Sequence, residues 1–214
     1  MRRHVHGTTP PAKLAQEELC IKFVNTVAWR LADHPEDRVV APEQLLSWFS
    51  SAGLVEPADV RRFSARWKQT PHEAAVFLER SAELREAVYA LLVARIKNRQ
   101  AHAKWLAILN AHLASPHGAQ LKAERNALKW RSSKSAQDGL LGPIAWSAAS
   151  LLMGPRAARI RQCQDERGCG WLFLDESRAQ NRRWCSMGDC GNLAKSRRHY
   201  RRTIEASARR GRSA

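Results

Sequence analysis

The sequence predicts a mainly α-helical fold with a small β component (α+β), in which a helical N-terminal domain with a short β-hairpin precedes a small cysteine-rich module. Three observations support this expectation. Apolar residues recur at three- and four-residue steps through most of the first 155 residues. Four of the five cysteines lie between residues 163 and 190, and an arginine-rich stretch with a narrow apolar stripe follows them.

The N-terminal domain is expected to begin with an amphipathic helix in AKLAQEELCIKFVNTVAWR, because Leu19, Phe23, Val24 and Val27 recur at helical spacing. The polar residues ADHPEDR that follow predict a loop. Cys20 lies beside the apolar face of this helix, so we interpret it as a buried thiol.

Four further helices are predicted in this domain, over residues 42–53, 57–69, 71–99 and 103–114. Prolines suit the first helical turn of the first and third, and a glycine suits the end of the first. The third has the longest periodic apolar pattern in the chain.

The rest of the domain is expected to contain a hairpin and a buried helix. In residues 119–133 the pattern of apolar and polar side chains is closer to the alternation of a strand than to the periodicity of a helix. This favours two short strands joined near Arg125–Asn126. The stretch Leu140–Met153 is apolar and rich in small residues, and Gly154–Pro155 would end a helix there.

We therefore divide the chain into a flexible tail (1–12), a helical domain (13–155), a cysteine-rich module (156–206) and a basic tail (207–214). No run of eighteen apolar residues occurs, so no membrane span is expected. The N-terminus has no apolar segment after its basic residues, and we expect a cytoplasmic location.

The net charge of +16 favours polyanionic partners, with nucleic acid first. The charge is concentrated toward the C-terminus. Residues 156–214 contain 15 Lys and Arg against 6 Asp and Glu, whereas residues 1–155 contain 21 against 14. The C-terminal segment is thus more than three times as charge-dense.

The cysteines have the spacing Cys163-x5-Cys169-x15-Cys185-x4-Cys190. Two close pairs separated by a medium gap suit a tetrahedral ion, since each pair can lie on a tight turn that presents two thiolates. Glycines beside Cys169 and Cys190 would let backbone N–H groups turn toward the sulfurs. The stretch WLFLD between the pairs predicts a short covering strand. We conclude that this is a zinc-binding module with one structural Zn²⁺.

The alternatives for the cysteines are two disulfides or four free core thiols. A chain without an export signal favours metal over disulfides. A catalytic zinc is disfavoured because four thiolates leave no open coordination position for water. Iron could also occupy a four-thiolate site, although zinc is the usual occupant.

The stretch NLAKSRRHYRRTIEASARR after the fourth cysteine predicts a basic helix with Leu193, Tyr200 and Ile204 on one stripe. A helix anchored by a metal and surrounded by arginines is typical of zinc DNA-binding modules. Our candidate nucleic-acid-binding residues are Arg178, Arg182 and Arg183 in the polar loop before Cys185, and Lys195, Arg197, Arg198, Arg201 and Arg202 in the helix. The alternative is a solvated basic face, or one that docks on an acidic protein.

The stretch from Arg159 to Arg202 closely resembles the CGNR zinc finger. The matching positions are Trp184, Cys185, Ser186, Met187, Cys190, Gly191, Asn192 and Lys195, and the WLF-Asp strand lies between the two cysteine pairs as in that family. Leu193 departs from the pattern, because an arginine is expected there. Leu193 cannot make the base or phosphate contact that an arginine would make at this position, whereas the metal ligands are unaffected.

The N-terminal part resembles the ABATE domain that precedes this finger, through LCIKFVNTV, LLSWF and PIAWSAASLL. The resemblance implies a stress-induced transcription regulator. We accordingly expect DNA as the partner, with the N-terminal domain sensing a small-molecule effector or forming a homodimer.

Two other functions stay open. An RNA-binding or protein-docking zinc module could stack Trp171, Trp184 and Tyr200 on unpaired bases, although core packing is the simpler role for both tryptophans. An enzyme is not expected, because the chain has no P-loop, no G-x-S-x-G, no G-x-G-x-x-G and no H-E-x-x-H. A ligand pocket lined by Trp29, Trp48, Trp67, Trp105 and Trp146 is less expected than ordinary core packing.

Overall fold

The computed structural model describes residues 19–114, 120–124, 127–131 and 137–211, and it describes side chains there except over 120–138 and 205–211. The chain forms two compact units. The first comprises Met1–Thr26 and Val39–Ala157, and the second comprises Val27–Arg38 and Ala158–Ala214. The second unit therefore takes twelve residues from a part of the sequence that we assigned to the N-terminal domain.

The first unit is mainly helical. Its described helices are α1 (residues 19–24), α2 (Pro42–Ser51), α3 (Pro57–Gln69), α4 (Pro71–Ile96), α5 (Ala103–Leu113) and α6 (Gly142–Met153). A proline occupies the first turn of α2, α3, α4 and α6. Proline lacks a backbone N–H, and N–H groups in the first turn make no hydrogen bond within the helix, so no bond is lost there. These helices follow the sequence prediction closely.

The core of this unit lies around α4, which contacts α2, α3, α5 and α6. A chain of aromatic rings runs through it: Phe23 and Trp48 have centroids 4.8 Å apart, and Phe77 lies 5.5 Å from Trp67 and 6.3 Å from Phe49. Trp48 and Trp67 thus contribute to core packing rather than to a ligand pocket.

Cys20 belongs to the same core. It is fully buried, and its backbone N–H donates to Ser147 Oγ at 3.0 Å, which connects α1 to α6. The predicted buried thiol is confirmed.

Within the described ranges, the β component consists of three antiparallel pairs. In the first unit, β3 (Gln120–Glu124) pairs with β4 (Ala127–Arg131), which confirms the predicted hairpin strands. The predicted turn at Arg125–Asn126 lies outside the described residues, as do the tail 1–12 and the expected start of the first helix.

The second unit contains the other two pairs. β1 (Val27–Ala28) pairs with β2 (Glu36–Asp37), and β5 (Ile160–Gln162) pairs with β6 (Leu172–Leu174) in the register Ile160–Leu174. A π-helical turn, Met187–Gly191, leads directly into the helix α7 (Asn192–Gly211). The WLFLD strand and the basic helix are confirmed, and the helix includes residues 207–211, which we assigned to a tail.

The predicted first helix is too long at its C-terminal end. The structure ends α1 at residue 24 and places Val27 in β1. Trp29 then has a positive φ of 54°, which is rare for a bulky residue, and it begins the connection from β1 to β2. None of the described helices is long and apolar enough to cross a membrane.

Candidate metal centre

The first cysteine turn follows β5 directly. The backbone N–H of Cys163 donates to the carbonyl oxygen of Trp171 at 2.8 Å, which extends the β5–β6 pairing to the first sulfur ligand. Asp165 then closes the turn: its Oδ1 accepts from the N–H of Arg167 at 3.1 Å, and its carbonyl accepts from the N–H of Gly168 at 2.9 Å. The turn brings Cys169 back beside Cys163.

Two glycines in this turn have positive φ, 88° at Gly168 and 65° at Gly170. A Cβ at Gly168 would lie 2.5 Å from the backbone nitrogen of Ala32, and one at Gly170 would lie 2.7 Å from Leu31 Cγ. Glycine is therefore needed for both the left-handed conformation and the close approach of the segment 27–38.

The second cysteine turn is the start of α7. Cys190 lies within the π-helical turn, and the N–H of Gly191 donates to the Ser186 carbonyl at 2.9 Å. Arg182 holds the other end of this turn, because its Nε donates to the Trp184 carbonyl at 2.8 Å and its terminal nitrogen donates to the carbonyl of Cys185. The fourth ligand thus fixes the N-terminus of the basic helix.

Asp175 organises the loop between the two turns. It is fully buried, its Oδ1 accepts from the N–H and hydroxyl of Ser177, and its Oδ2 accepts from the N–H of Arg182 at 2.8 Å. The hydrogen bonds from Ser177, followed by the one from Arg182, lower the pKa of the Asp175 carboxyl although burial opposes this. An ionised Asp175 therefore positions the backbone of Arg182.

The four sulfur atoms of Cys163, Cys169, Cys185 and Cys190 all lie within 4.8 Å of one another. The Sγ atoms of Cys169 and Cys185 are 3.8 Å apart, as are those of Cys185 and Cys190. A tetrahedral zinc with Zn–S bonds of about 2.3 Å requires sulfur separations of about 3.8 Å. A disulfide needs about 2.05 Å, and all five cysteines are free thiols. The four side chains fit one structural zinc ion.

The four thiols strongly influence one another's ionisation. Hydrogen bonds from Cys169 and Cys185, together with the backbone N–H groups of Cys185 and Asp165, hold the pKa of Cys163 far below its usual range. Donation to Cys163 raises the pKa of Cys169 and of Cys185, and burial raises the pKa of the Cys190 thiol. Negative charge on one sulfur thus opposes ionisation of the other three, and a cation bound among the four sulfurs would offset this repulsion.

Aromatic side chains surround the sulfurs. Phe173 is buried against Cys163, Cys169 and Cys190, and Trp29, Trp171 and Trp184 pack on this cluster. Such an apolar shell limits the access of water to a thiolate site. Trp171 and Trp184 therefore have the packing role that we considered simpler than base stacking. Trp29 belongs to the metal centre and not to a pocket of the helical domain.

The segment Val27–Arg38 forms part of this centre. The N–H groups of Arg30 and Leu31 donate to the carbonyls of Cys169 and Gly168 at 3.1 and 2.9 Å. Trp171 Nε1 donates to the Val27 carbonyl at 3.0 Å. The guanidinium of Arg167 lies 4.8 Å from the centroid of Trp29. The first cysteine turn is therefore bonded to residues almost 140 positions earlier in the chain.

The candidate nucleic-acid-binding residues differ in their surroundings. Lys195, Arg198 and Arg202 are exposed on α7 and make no ion pair with any described acidic side chain. Arg178 is exposed in the loop. Arg182 is used internally, as described above, and its guanidinium lies 4.8 Å from the Phe173 ring.

The other three candidates have partners within the second unit. Arg183 Nε donates to Gln164 Oε1 at 2.9 Å, Arg197 lies 3.9 Å from Asp165, and Arg201 pairs with Glu166. The acidic residues of the first cysteine turn, Asp165 and Glu166, were missed by sequence reasoning. Their position two and three residues after Cys163 was the available signal, because the first cysteine turn brings the neighbours of its ligands close to α7.

Asp165 is the more buried of these two acids. Burial opposes its ionisation, but hydrogen bonds from Arg167 outweigh burial and lower the pKa of the Asp165 carboxyl. Arg167 Nε lies 2.9 Å from Asp165 Oδ2. This pair stabilises the turn itself.

The N-terminal and C-terminal parts of the chain each match a known protein family. Residues 17–155 match the ABATE family, described as "Putative stress-induced transcription regulator", and residues 159–203 match the CGNR zinc finger. None of the curated proteins is significantly similar in sequence to the chain.

Proposed function

Because the chain belongs to the ABATE family and carries a CGNR zinc finger, we propose that it is a cytoplasmic transcription regulator that binds DNA and catalyses no reaction. The metal centre holds the basic helix, and Lys195, Arg198, Arg202 and Arg178 contact phosphates. The helical domain senses a small molecule or forms a homodimer.

The observation that carries this proposal is the set of exposed cations on a helix whose first turn is held by a metal ligand. Lys195, Arg198 and Arg202 have no ion-pair partner among the described side chains and lie on one side of α7. Phosphate can therefore reach them without breaking an internal contact. The net charge of the C-terminal segment attracts DNA over a longer range.

The test is a fluorescence anisotropy titration of the zinc-loaded chain with a duplex of about 20 base pairs at several salt concentrations. Each phosphate contact contributes about −0.9 to the slope of log affinity against log salt. Changing Lys195, Arg198 and Arg202 together to Gln should make the slope shallower by up to about 2.7. The affinity should fall by one to two orders of magnitude at low salt.

A charge-matched control separates local contacts from net charge. Arg61, Lys68 and Lys97 are exposed in the helical domain, and changing all three to Gln removes the same charge. The proposal requires a much smaller effect from this control. Equal effects of the two triple variants, or no affinity for duplex at low salt, would contradict it.

The exposure of Tyr200 favours a second candidate, an RNA-binding module. Its side chain is 68% exposed beside Arg201, whereas Trp171 and Trp184 pack at the metal centre. A single-stranded RNA base could stack on this ring. Tighter binding to single-stranded RNA than to duplex DNA, lost in Tyr200→Ala, would replace the first proposal by this one.

A further inference from the structure

A groove of about 240 Å³ lies between the first cysteine turn and α7. Five arginines line this groove. Four of them lie on the helix, Arg197, Arg198, Arg201 and Arg202, and the fifth, Arg183, lies two residues before Cys185. The four helix positions are spaced i, i+1, i+4 and i+5, which places their side chains on one face.

Five guanidinium groups around one groove repel each other unless an anion lies among them. The chain itself supplies two carboxylates, Asp165 and Glu166, which also line the groove. Asp165 has 3% of its side chain exposed and is bound to Arg167, so it is a fixed part of the turn. The five arginines exceed these two carboxylates by three positive charges, and Arg167, which is bound to Asp165, adds a fourth.

Glu166 differs from Asp165, because 66% of its side chain is exposed and its contact is with Arg201, itself 60% exposed. An ion pair between two exposed side chains contributes little to stability. A phosphate oxygen in the groove could take the place of this carboxylate at Arg201, since a guanidinium binds both groups in the same bidentate manner.

We propose that the groove binds a phosphate group and that Glu166 competes with this phosphate for Arg201. The identification of the phosphate as one of the DNA backbone rests on the proposed function. The competition lowers the affinity of the resting protein for any phosphate compound, and a phosphate that enters the groove releases Glu166 to solvent.

The first test compares duplex binding by the zinc-loaded full chain and its variants. Glu166→Gln removes the competing charge and should tighten binding about two- to fivefold. Glu166→Asp keeps the charge but shortens the side chain by one methylene, and it should also tighten binding. Glu176 is an exposed acid of the same unit that pairs with Arg159 and does not line the groove. Glu176→Gln should change the affinity by less than about 1.5-fold.

Arg201→Gln provides the decisive comparison. The gain from Glu166→Gln should vanish when Arg201 is also Gln, because the guanidinium for which Glu166 and the phosphate compete is then absent. A gain that persists without Arg201, or one equal to that of Glu176→Gln, would overturn the proposal while leaving DNA binding intact. Zinc content and thermal unfolding of each variant check that it is folded.

A second probe separates this proposal from the proposed function. Inorganic phosphate and a nucleoside monophosphate are titrated while the arginine Nε–H resonances are followed by NMR. Saturable shifts of the Arg201 resonance that tighten in Glu166→Gln support the groove site, even if no variant binds duplex, and would identify a free phosphate compound as its ligand. If neither phosphate nor duplex shifts this resonance, the groove is not a phosphate site.

Discussion

At the scale of single residues, Gly168 is the most constrained position of the metal centre. Its φ of 88° belongs to the left-handed region, and its missing side chain gives room to the backbone of Ala32. A left-handed conformation costs a non-glycine residue roughly 1–2 kcal/mol before any clash is counted. Backbone atoms cannot rotate away as the end of a flexible side chain can.

We therefore expect Gly168→Ala to destabilise the second unit by at least about 2 kcal/mol and to weaken zinc binding. Gly188 is the matched control in the other cysteine turn, because a Cβ there would meet only Ser186 Oγ, at 3.9 Å. Gly188→Ala should cost less than about 0.5 kcal/mol. Zinc affinity measured against a chromogenic chelator compares the two variants, and equal affinities would refute the role given to Gly168.

At the scale of elements, the segment Val27–Arg38 determines whether the zinc module is complete. It supplies β1 and β2, and its backbone N–H groups bond to the carbonyls of Gly168 and Cys169. These carbonyls would otherwise need water inside a site that aromatic side chains surround. Residues 158–214 alone therefore lack part of the second unit.

The hydrogen bond from Trp171 Nε1 to the Val27 carbonyl can be tested by itself. Trp171→Phe keeps an aromatic ring but removes the donor, which should destabilise the unit by about 1 kcal/mol beyond the loss of ring area. Trp184→Phe is the control, because the described contacts give the Trp184 indole N–H no hydrogen-bond acceptor. Denaturant unfolding of the zinc-loaded variants measures the difference. A difference below about 0.3 kcal/mol would mean that the bond does not hold the segment.

At the scale of the whole molecule, the two units depend on different interactions. The first has an extended core of apolar side chains around α4. The second buries few large apolar residues, apart from those around its sulfurs and strands. A structural zinc contributes on the order of 10–16 kcal/mol of apparent binding free energy. We therefore expect the folding of the second unit to depend on the metal and that of the first to be independent of it.

Removal of zinc should unfold the second unit and leave the first folded. Hydrogen exchange followed by mass spectrometry should show that residues 27–38 lose protection together with 158–204 when a chelator is added, whereas α4 stays protected. The helical domain's residues on both sides of the segment, in α1 and α2, are the internal control. Retained protection of 27–38 without metal would show that this segment does not belong to the zinc-dependent unit.

Features that depend on neighbours in sequence could be predicted from the sequence. Prolines at helix starts and apolar periodicity located α2 to α6, since both act within a few residues. Two cysteine pairs of suitable spacing identified the metal ligands, because the coordination chemistry of zinc requires four such donors.

Only the tertiary structure decided which distant residues complete the site. It placed Val27–Arg38 at the first cysteine turn, turned Arg182 inward to the Cys185 carbonyl, and paired Arg201 with Glu166. The sequence of a polar loop, or the presence of an arginine, is the same whether the side chains face solvent or a neighbouring turn. Whether such a side chain faces solvent or another turn depends on how segments far apart in the chain pack together. The local periodicity of the sequence contains no information on that packing.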